Sequence, residues 1–194
     1  RLGVPGKKGT QLCREGYALA HDPVRKTPIW VAEFLTRARA RAKLERSEDF
    51  RPDPDLAVGS RAELADYKSS GYDRGHMAPA GDNRWGVEAM SESFYLSNMS
   101  PQIGTGLNRG IWKDLEDRVR DWTISRGALQ VYTGPIYQEK IPLRTLGKNR
   151  VAVPTHFYKI VFDPAAEEAI AFIMPNRKLL PVDMPKYIST IREV

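Results

Sequence analysis

Apolar side chains recur at helical spacing in the middle of the chain, and a row of polar side chains lies beside them. The apolar positions, three or four residues apart, are Leu107, Ile111, Leu115, Val119 and Trp122. This period predicts one face of an amphipathic helix. Side chains four residues apart form a ridge on a helix. The ridge beside the apolar face consists of Asn108, Trp112, Glu116 and Arg120. Its amide, carboxylate and cation can face a single point, as a phosphate-and-metal site requires.

Runs rich in β-branched and aromatic residues, bounded by Gly, Pro and Asp, predict strands elsewhere in the chain. These runs are residues 17–20, 29–35, 94–96, 129–133, 151–153, 157–162 and 169–174. Turns at residues 21–23 and at Asp163-Pro164 predict hairpins, with His21 exposed in the first. We therefore expect an α+β fold, in which a mainly antiparallel sheet packs against the long helix.

Shorter elements complete the pattern. Residues 62–67 and 85–93 are predicted to be helical, residues 51–60 form a loop, and Asp183 caps a last helix over residues 184–192. The chain of 194 residues has the size of one domain. We expect a single domain over residues 1–194, in which residues 1–10 form a mobile arm.

The composition favours some classes of binding partner and excludes some kinds of site. Lys and Arg number 30 against 24 Asp and Glu, so the net charge is +6. This excess favours a polyanion such as DNA or RNA, although it also serves solubility alone. The single cysteine, Cys13, excludes an internal disulfide and a cysteine-based zinc site. No apolar run reaches the ~18 residues of a membrane helix, so we expect no membrane partner. The charged run at residues 37–49 predicts a solvated face, or at most an accessory surface for phosphates.

The tetrad Asp73-Arg74-Gly75-His76 precedes the long helix. On an extended segment, Arg74 and His76 point to one face and Asp73 to the other. Imidazole ionises close to neutrality, so a neutral His76 can take a proton from an attacking water. The planar fork of Arg74 suits a phosphate oxygen. Asp73 is expected to orient the loop or to pair with a basic residue.

Three ordered segments together resemble a known family: the tetrad, residues 94–102, and the helix from Leu107 to Glu116. They are similar to the DNA/RNA non-specific endonucleases, a ββα-metal (His-Me finger) family that includes secreted bacterial nucleases and mitochondrial endonuclease G. Residues 30–31, 151–157 and 174–176 extend the resemblance over most of the chain. It implies an α+β fold with a ββα-metal finger motif.

The resemblance also implies an activity and a set of roles. The chain would hydrolyse phosphodiester bonds of DNA and RNA to 5′-phosphate products, with His76 as the general base. Asn108 would be the direct protein ligand of Mg²⁺, with Mn²⁺ as a substitute, and Glu116 would hold metal-bound waters. Arg74 would stabilise charge in the transition state. Supporting or substrate-binding roles fall to Asp73, Asn98, Gln102 and Arg120.

Other interpretations stay open at the level of sequence. The chain could be a non-catalytic nucleic-acid-binding module that keeps the nuclease fold, or a phosphoesterase acting on a small or protein-bound phosphate. Residues 77–80 favour the bacterial members, hence secretion or the periplasm, with the mitochondrion as the alternative. A homodimer and an inhibitor protein are compatible with the resemblance. His156 lies in an apolar strand and is expected to be structural.

Overall fold

The structure, a computed structural model, describes Gly6 and residues 8–194 and is built on one large antiparallel sheet. The strands of the described residues are β1 (Thr10–Cys13), β2 (Tyr17–Asp22), β3 (Thr27–Thr36), β4 (Asp73–His76), β5 (Met99–Gln102), β6 (Ala128–Ile136), β7 (Thr145–Leu146), β8 (Val151–Ala152), β9 (His156–Asp163), β10 (Glu168–Pro175) and β11 (Ile188–Ser189). The helices are α1 (Arg37–Arg41), α2 (Leu64–Tyr67), α3 (Val87–Glu92) and α4 (Trp112–Arg126).

Seven strands form the large sheet in the order β1-β2-β3-β6-β9-β10-β11, and every neighbouring pair is antiparallel. Side chains of β3, β6 and β9 alternate between the two faces, as strand geometry requires. The face towards α4 holds the main hydrophobic core, where Val31, Val131 and Phe157 join Trp112 and Leu115 of the helix. The predicted α+β class with a mainly antiparallel sheet is therefore confirmed.

A separate two-stranded hairpin carries the tetrad. β4 pairs antiparallel with β5, so that Asp73 lies opposite Gln102 and His76 opposite Met99. The prediction of an extended tetrad is confirmed. Residues 94–96, predicted as a strand, are not one, because their backbone groups bond within local turns and to the loop at Arg51. The strand begins at Met99 instead.

The long helix begins later than its apolar period indicates. Residues Gly104–Ile111 form a wound, irregular segment, in which the backbone leaves helical geometry at Thr105, Gly106 and Gly110. Gly106 has φ of +83°, a conformation that favours glycine. Regular α-helix starts only at Trp112, so Asn108 lies before α4 and not on it.

Two further predictions are wrong. His21 is buried, because a bulge between Ala20 and His21 turns its ring inward, where Nε2 lies 2.8 Å from the carbonyl oxygen of Ser60. The predicted last helix is a 3-10 turn over Pro181–Tyr187 followed by β11, since Pro185 has no amide hydrogen to continue an α-helix.

Two predictions concern the N-terminal residues and the membrane. The predicted N-terminal arm falls largely on residues 1–5 and 7, outside the described residues. Of the helices in the described part of the chain, none combines the length and the apolar character that a membrane crossing needs.

Candidate active site

A cavity of about 950 Å³ opens between the β4–β5 hairpin, the wound segment and the start of α4. Six of the eight predicted site residues line it, namely Asp73, Arg74, His76, Asn108, Glu116 and Arg120. The other two, Asn98 and Gln102, are fully buried behind the hairpin. Residues up to 47 positions apart thus meet at one opening, and a basic rim that includes Arg46, Arg84 and Lys113 surrounds them.

His76 sits at the end of β4 against two aromatic rings. Its ring centroid lies 5.0 Å from that of Phe94, edge to face, and 5.6 Å from that of Phe50. Burial lowers the pKa of His76 to about 3, with the nearby charges of Arg46 and Arg74 contributing in the same direction. The imidazole is therefore neutral at pH 7, the form that can accept a proton. Its buried Nε2 has no hydrogen-bond partner among the described residues.

Asp73 fixes the orientation of the Asn108 amide. Asn108 Nδ2 donates to Asp73 Oδ2 at 2.9 Å, and Arg109 Nε lies 3.0 Å from the same oxygen. An ionised carboxylate only accepts hydrogen bonds, so the amide nitrogen must face Asp73 and the amide oxygen must face away. Asn108 Oδ1 is then left as a ligand atom. A Cβ at Gly104 would lie 2.7 Å from Asp73 Oδ2, which explains why glycine is required there.

Glu116 lies half-buried one turn into α4, at the floor of the cavity. Burial raises the pKa of Glu116 to about 7, the attraction of Lys159 opposes the rise, and the negative charge of Asp82 adds to it. A carboxyl group with a pKa this close to neutrality responds strongly to any cation that binds beside it.

Arg120 is engaged by two carboxylates. Its Nη1 donates to Asp82 Oδ1 at 2.5 Å, and its Nη2 donates to Asp117 Oδ1. A Cβ at Gly81 would lie 2.7 Å from Nη1, so the glycine allows this close approach. Arg120 lines the cavity with its fork already occupied, unlike the free phosphate ligand that the sequence suggested.

Asn98 and Gln102 support the hairpin from behind. Asn98 accepts from the Ala78 amide at 2.9 Å and donates to the carbonyl oxygens of Ala78 and Ser93. It thereby holds the turn that follows His76. Gln102 packs directly on Gly75, where a Cβ would lie 1.9 Å from Gln102 Oε1. Trp112, which the sequence predicts to lie in the core or to support the ridge, is fully buried in the core.

Several cavity residues were missed at the level of sequence. Arg46 and Phe50 line the cavity beside His76, although the sequence assigned Arg46 to a solvated charged run. The Arg74 guanidinium stacks on the Phe50 ring at 3.9 Å. Lys113 and Arg109 line the opposite wall. A run of charges carries no periodic signal, so nothing in it distinguishes Arg46 from its neighbours.

The donor set suits a hard, hydrated cation. Among the described residues, no three His, Cys, Asp or Glu side chains cluster as a metal-binding group. What the cavity offers is one amide oxygen, oriented by Asp73, and one carboxylate at the floor. Mg²⁺ prefers oxygen ligands and commonly keeps several waters while binding one or two protein groups. The residues present therefore fit such an ion.

Comparisons with known proteins agree with this geometry. A model of the DNA/RNA non-specific endonuclease family matches residues 1–193. Human mitochondrial endonuclease G is 40% identical over 195 residues, covering 94% of this chain and 64% of the human protein. Mitochondrial nuclease 1 of Schizosaccharomyces pombe is 37% identical over 196 residues, covering 92% of this chain and 61% of that protein. The chain thus spans a little under two thirds of the length of these relatives.

A solved structure is similar as well. In the crystal structure of an EndoG/EndoGI complex, one chain superimposes with a TM-score of 0.93 at 35% identity, covering 98% of this chain and 84% of that one. The predicted resemblance is confirmed. With a family match over nearly its whole length, the chain belongs to the DNA/RNA non-specific endonucleases.

Proposed function

We propose that this chain is a divalent-metal-dependent endonuclease that hydrolyses phosphodiester bonds in DNA and RNA. The observation that carries the proposal is the convergence of His76, Arg74, Asn108 and Glu116 on one basic-rimmed cavity. Nucleases among its relatives, including human endonuclease G, support the same activity. Hydrolysis forms a bond from a water oxygen to phosphorus, breaks the bond to the 3′ oxygen, and leaves 5′-phosphate and 3′-hydroxyl ends.

His76 would act as the general base. In the free protein, burial and the charges of Arg46 and Arg74 keep its pKa low, so it is a weak base. A substrate phosphate would bring negative charge beside both arginines and raise the pKa of His76 towards neutrality. The base would therefore become effective when substrate is bound, which ties proton transfer to phosphate binding.

Asn108 and Glu116 would hold the metal ion. Asn108 would bind it directly through Oδ1, and Glu116 would accept hydrogen bonds from its waters. When bound, a divalent ion supplies charge stabilisation to the phosphate and the leaving oxygen. Asp73 would keep the amide oxygen aimed at the ion, as carboxylates that hydrogen-bond to metal ligands do in other proteins. We propose Mg²⁺, with Mn²⁺ as a substitute.

Arg74 would stabilise the phosphoryl oxygens. The Phe50 ring supports its guanidinium plane and restricts the rotamers of a long side chain. A preorganised cation stabilises charge that develops in the transition state more than a mobile one does. Because all of these groups face the phosphate and not the bases, little sequence preference is expected.

The names of the relatives are the basis on which we propose a compartment and protein partners. Two of the relatives above are named mitochondrial, which favours the mitochondrial alternative, and none of the comparisons supports bacterial secretion. The similar solved structure is a complex of EndoG with EndoGI and concerns EndoG inhibition. We propose by analogy that a protein inhibitor could cover the cavity, and that the chain could form a homodimer.

The experiment that tests the activity is cleavage of supercoiled plasmid and of an RNA by the wild type and by His76→Ala. Each is assayed with Mg²⁺ and with excess EDTA. We expect degradation only by the wild type with metal, while His76→Ala still retards DNA in a gel shift. A wild type that binds DNA but cleaves nothing with any divalent metal would favour the non-catalytic binding module. Cleavage of a small phosphodiester but no plasmid would favour the phosphoesterase.

A further inference from the structure

The middle of the sheet face beneath α4 carries three polar side chains among apolar neighbours. They stand on three adjacent strands: Glu33 on β3, Thr133 on β6 and Lys159 on β9. Thr133 lies directly opposite Lys159, and Glu33 is two residues from the β3 partner of Thr133. Buried apolar neighbours on the same face are Val31, Leu35, Val131, Phe157 and Val161. We call Glu33, Thr133 and Lys159 the polar stripe.

The polar stripe is buried at an energetic cost. Lys159 is 1% exposed, and its Nζ lies 5.0 Å from the centre of the Trp112 ring. Glu33 is 5% exposed, and within residues 8–194 neither of its carboxylate oxygens has a hydrogen-bond partner. Removing an ion from water is unfavourable unless the ion is well paired. Apolar residues would suit this layer better, so stability of the fold does not explain the stripe.

The charged groups that face the stripe belong to the cavity floor. They are Glu116 and Arg120 of α4, and Asp82 of the 3-10 turn Ala80–Asn83. Arg120 is already hydrogen-bonded to Asp82 and Asp117. The hydrogen bond of Lys159 goes to a neutral partner, Thr133 Oγ1, at 2.7 Å. The Trp112 ring that Nζ faces lies one helical turn before Glu116 on α4, so the charge of Lys159 is placed under this part of the helix. Its attraction opposes the rise in the pKa of Glu116.

We propose that Lys159 is a positioning residue for Glu116, held in place by Thr133. The ammonium attracts the Glu116 carboxylate from beneath and keeps it at the cavity floor, where it would hold metal-bound water. Thr133 fixes the end of an otherwise flexible four-carbon stem. Glu33 is a second acidic group near the same ammonium, but burial raises the pKa of Glu33 well above its usual value and favours the uncharged form, which leaves Glu116 as the carboxylate that Lys159 attracts. This inference rests on the proposed metal-dependent nuclease function, which gives Glu116 its task.

The primary test is Mn²⁺ binding without nucleic acid, measured from the electron paramagnetic resonance signal of free Mn²⁺. Lys159→Met keeps the length of the side chain and removes its charge. We expect Mn²⁺ to bind ~10- to 100-fold more weakly, the usual effect of losing an outer-shell partner. Thr133→Val, which is nearly isosteric, should weaken binding about threefold to tenfold. Glu33→Gln replaces an acid whose uncharged form is favoured by burial and should leave Mn²⁺ binding unchanged.

Matched controls separate positioning from packing. Val161→Ala lies on the same strand and the same buried face as Lys159, and it removes packing without touching a charge. It should bind Mn²⁺ as the wild type does, and Lys159→Arg should retain binding within about threefold because the charge is kept. Urea unfolding of each variant confirms that folded protein is compared.

The outcomes distinguish this inference from the nuclease proposal. A wild type that neither binds Mn²⁺ nor cleaves plasmid defeats the proposed function. A wild type that does both, beside a folded Lys159→Met with unchanged Mn²⁺ binding, defeats the inference alone. Equal weakening in Val161→Ala and Lys159→Met also overturns it. If Lys159→Met does not fold, Thr133→Val decides, and wild-type Mn²⁺ binding in that variant overturns the inference.

Discussion

The rim and the floor of the cavity are held in place by different kinds of interaction. At the rim, Asp73 orients Asn108 through a hydrogen bond, and the carboxylate is about one third exposed. At the floor, Arg120 pairs with the buried Asp82, and Glu116 lies under the influence of the charges of Lys159 and Asp82. The rim depends on the direction of a few short bonds, whereas the floor depends on charge balance in a poorly solvated layer. Rim substitutions should therefore change activity with little loss of stability, and floor substitutions should change both.

Removing the rim ligand should have the largest effect on turnover. Asn108→Ala deletes the amide oxygen, and metal stabilisation of the phosphate is worth several kcal/mol. We expect kcat/KM to fall about a thousandfold, with a urea midpoint close to that of the wild type. Plasmid cleavage at increasing Mg²⁺ concentrations measures the fall in kcat/KM, and urea unfolding measures the midpoint. Unchanged Mg²⁺ dependence in this variant would mean that another group is the ligand.

Breaking the floor pair should have the largest effect on stability. Asp82→Asn removes the charge that faces the buried Arg120, and loss of one partner of a buried pair costs about 3 kcal/mol. Asp117→Asn is the matched control, because Asp117 is 46% exposed and holds the same arginine from outside. It should cost about 1 kcal/mol or less. Urea unfolding measures both free energies of unfolding. Equal values for Asp82→Asn and Asp117→Asn would contradict this distinction.

The hydrogen bond at the rim can be tested with a smaller change. Asp73→Asn leaves the side chain in place but lets it donate as well as accept, so the Asn108 amide loses its fixed orientation. We expect kcat/KM to fall ~10- to 100-fold. Arg109→Ala removes the other partner of Asp73, an arginine that is 67% exposed, and should cost little stability. The orienting role of Asp73 would be refuted by a variant with wild-type kcat/KM and wild-type Mg²⁺ titration.

The floor predicts a modest dependence of metal binding on pH. Because the pKa of Glu116 is raised to about 7 in the free protein, its carboxylate form increases as the pH rises through that value. Mn²⁺ affinity should then rise by up to about tenfold between pH 6 and pH 8 and level off above pH 8. Glu116→Gln should bind more weakly at every pH and lose this dependence. If the Mn²⁺ affinity of Glu116→Gln still rises with pH, the group that titrates is another residue.

Much of the fold could be predicted because its signals are local. The runs around Trp30 and Ile160 alternate or carry β-branched residues, and Asp163-Pro164 marks a hairpin, so strands and turn followed from short windows. The start of α4 could not, because the apolar period continues through Gly106 and Gly110 although the backbone leaves the helical region there. His21 was placed wrongly because a bulge cannot be read from the residues around it.

The site divides in the same way. His76 and Arg74 share a face because they are two apart on one strand, which the sequence states directly. Arg46 and Phe50 reach His76 only through the loop that follows α1. Lys159 lies in a run that predicts an ordinary strand, and its position against Trp112 of α4 depends on the register of three strands. Such long-range placement has no signature in a local pattern.

The wound segment before α4 changes the spacing between the two oxygen donors. On a continuous helix, Asn108 and Glu116 would be separated by eight residues at a fixed rise, about 12 Å along the axis. Instead, the non-helical backbone of Gly110 lies between the amide and the first regular turn, so this spacing is not set by helical pitch. The break in the helix thus lets an amide and a carboxylate eight residues apart face the same opening.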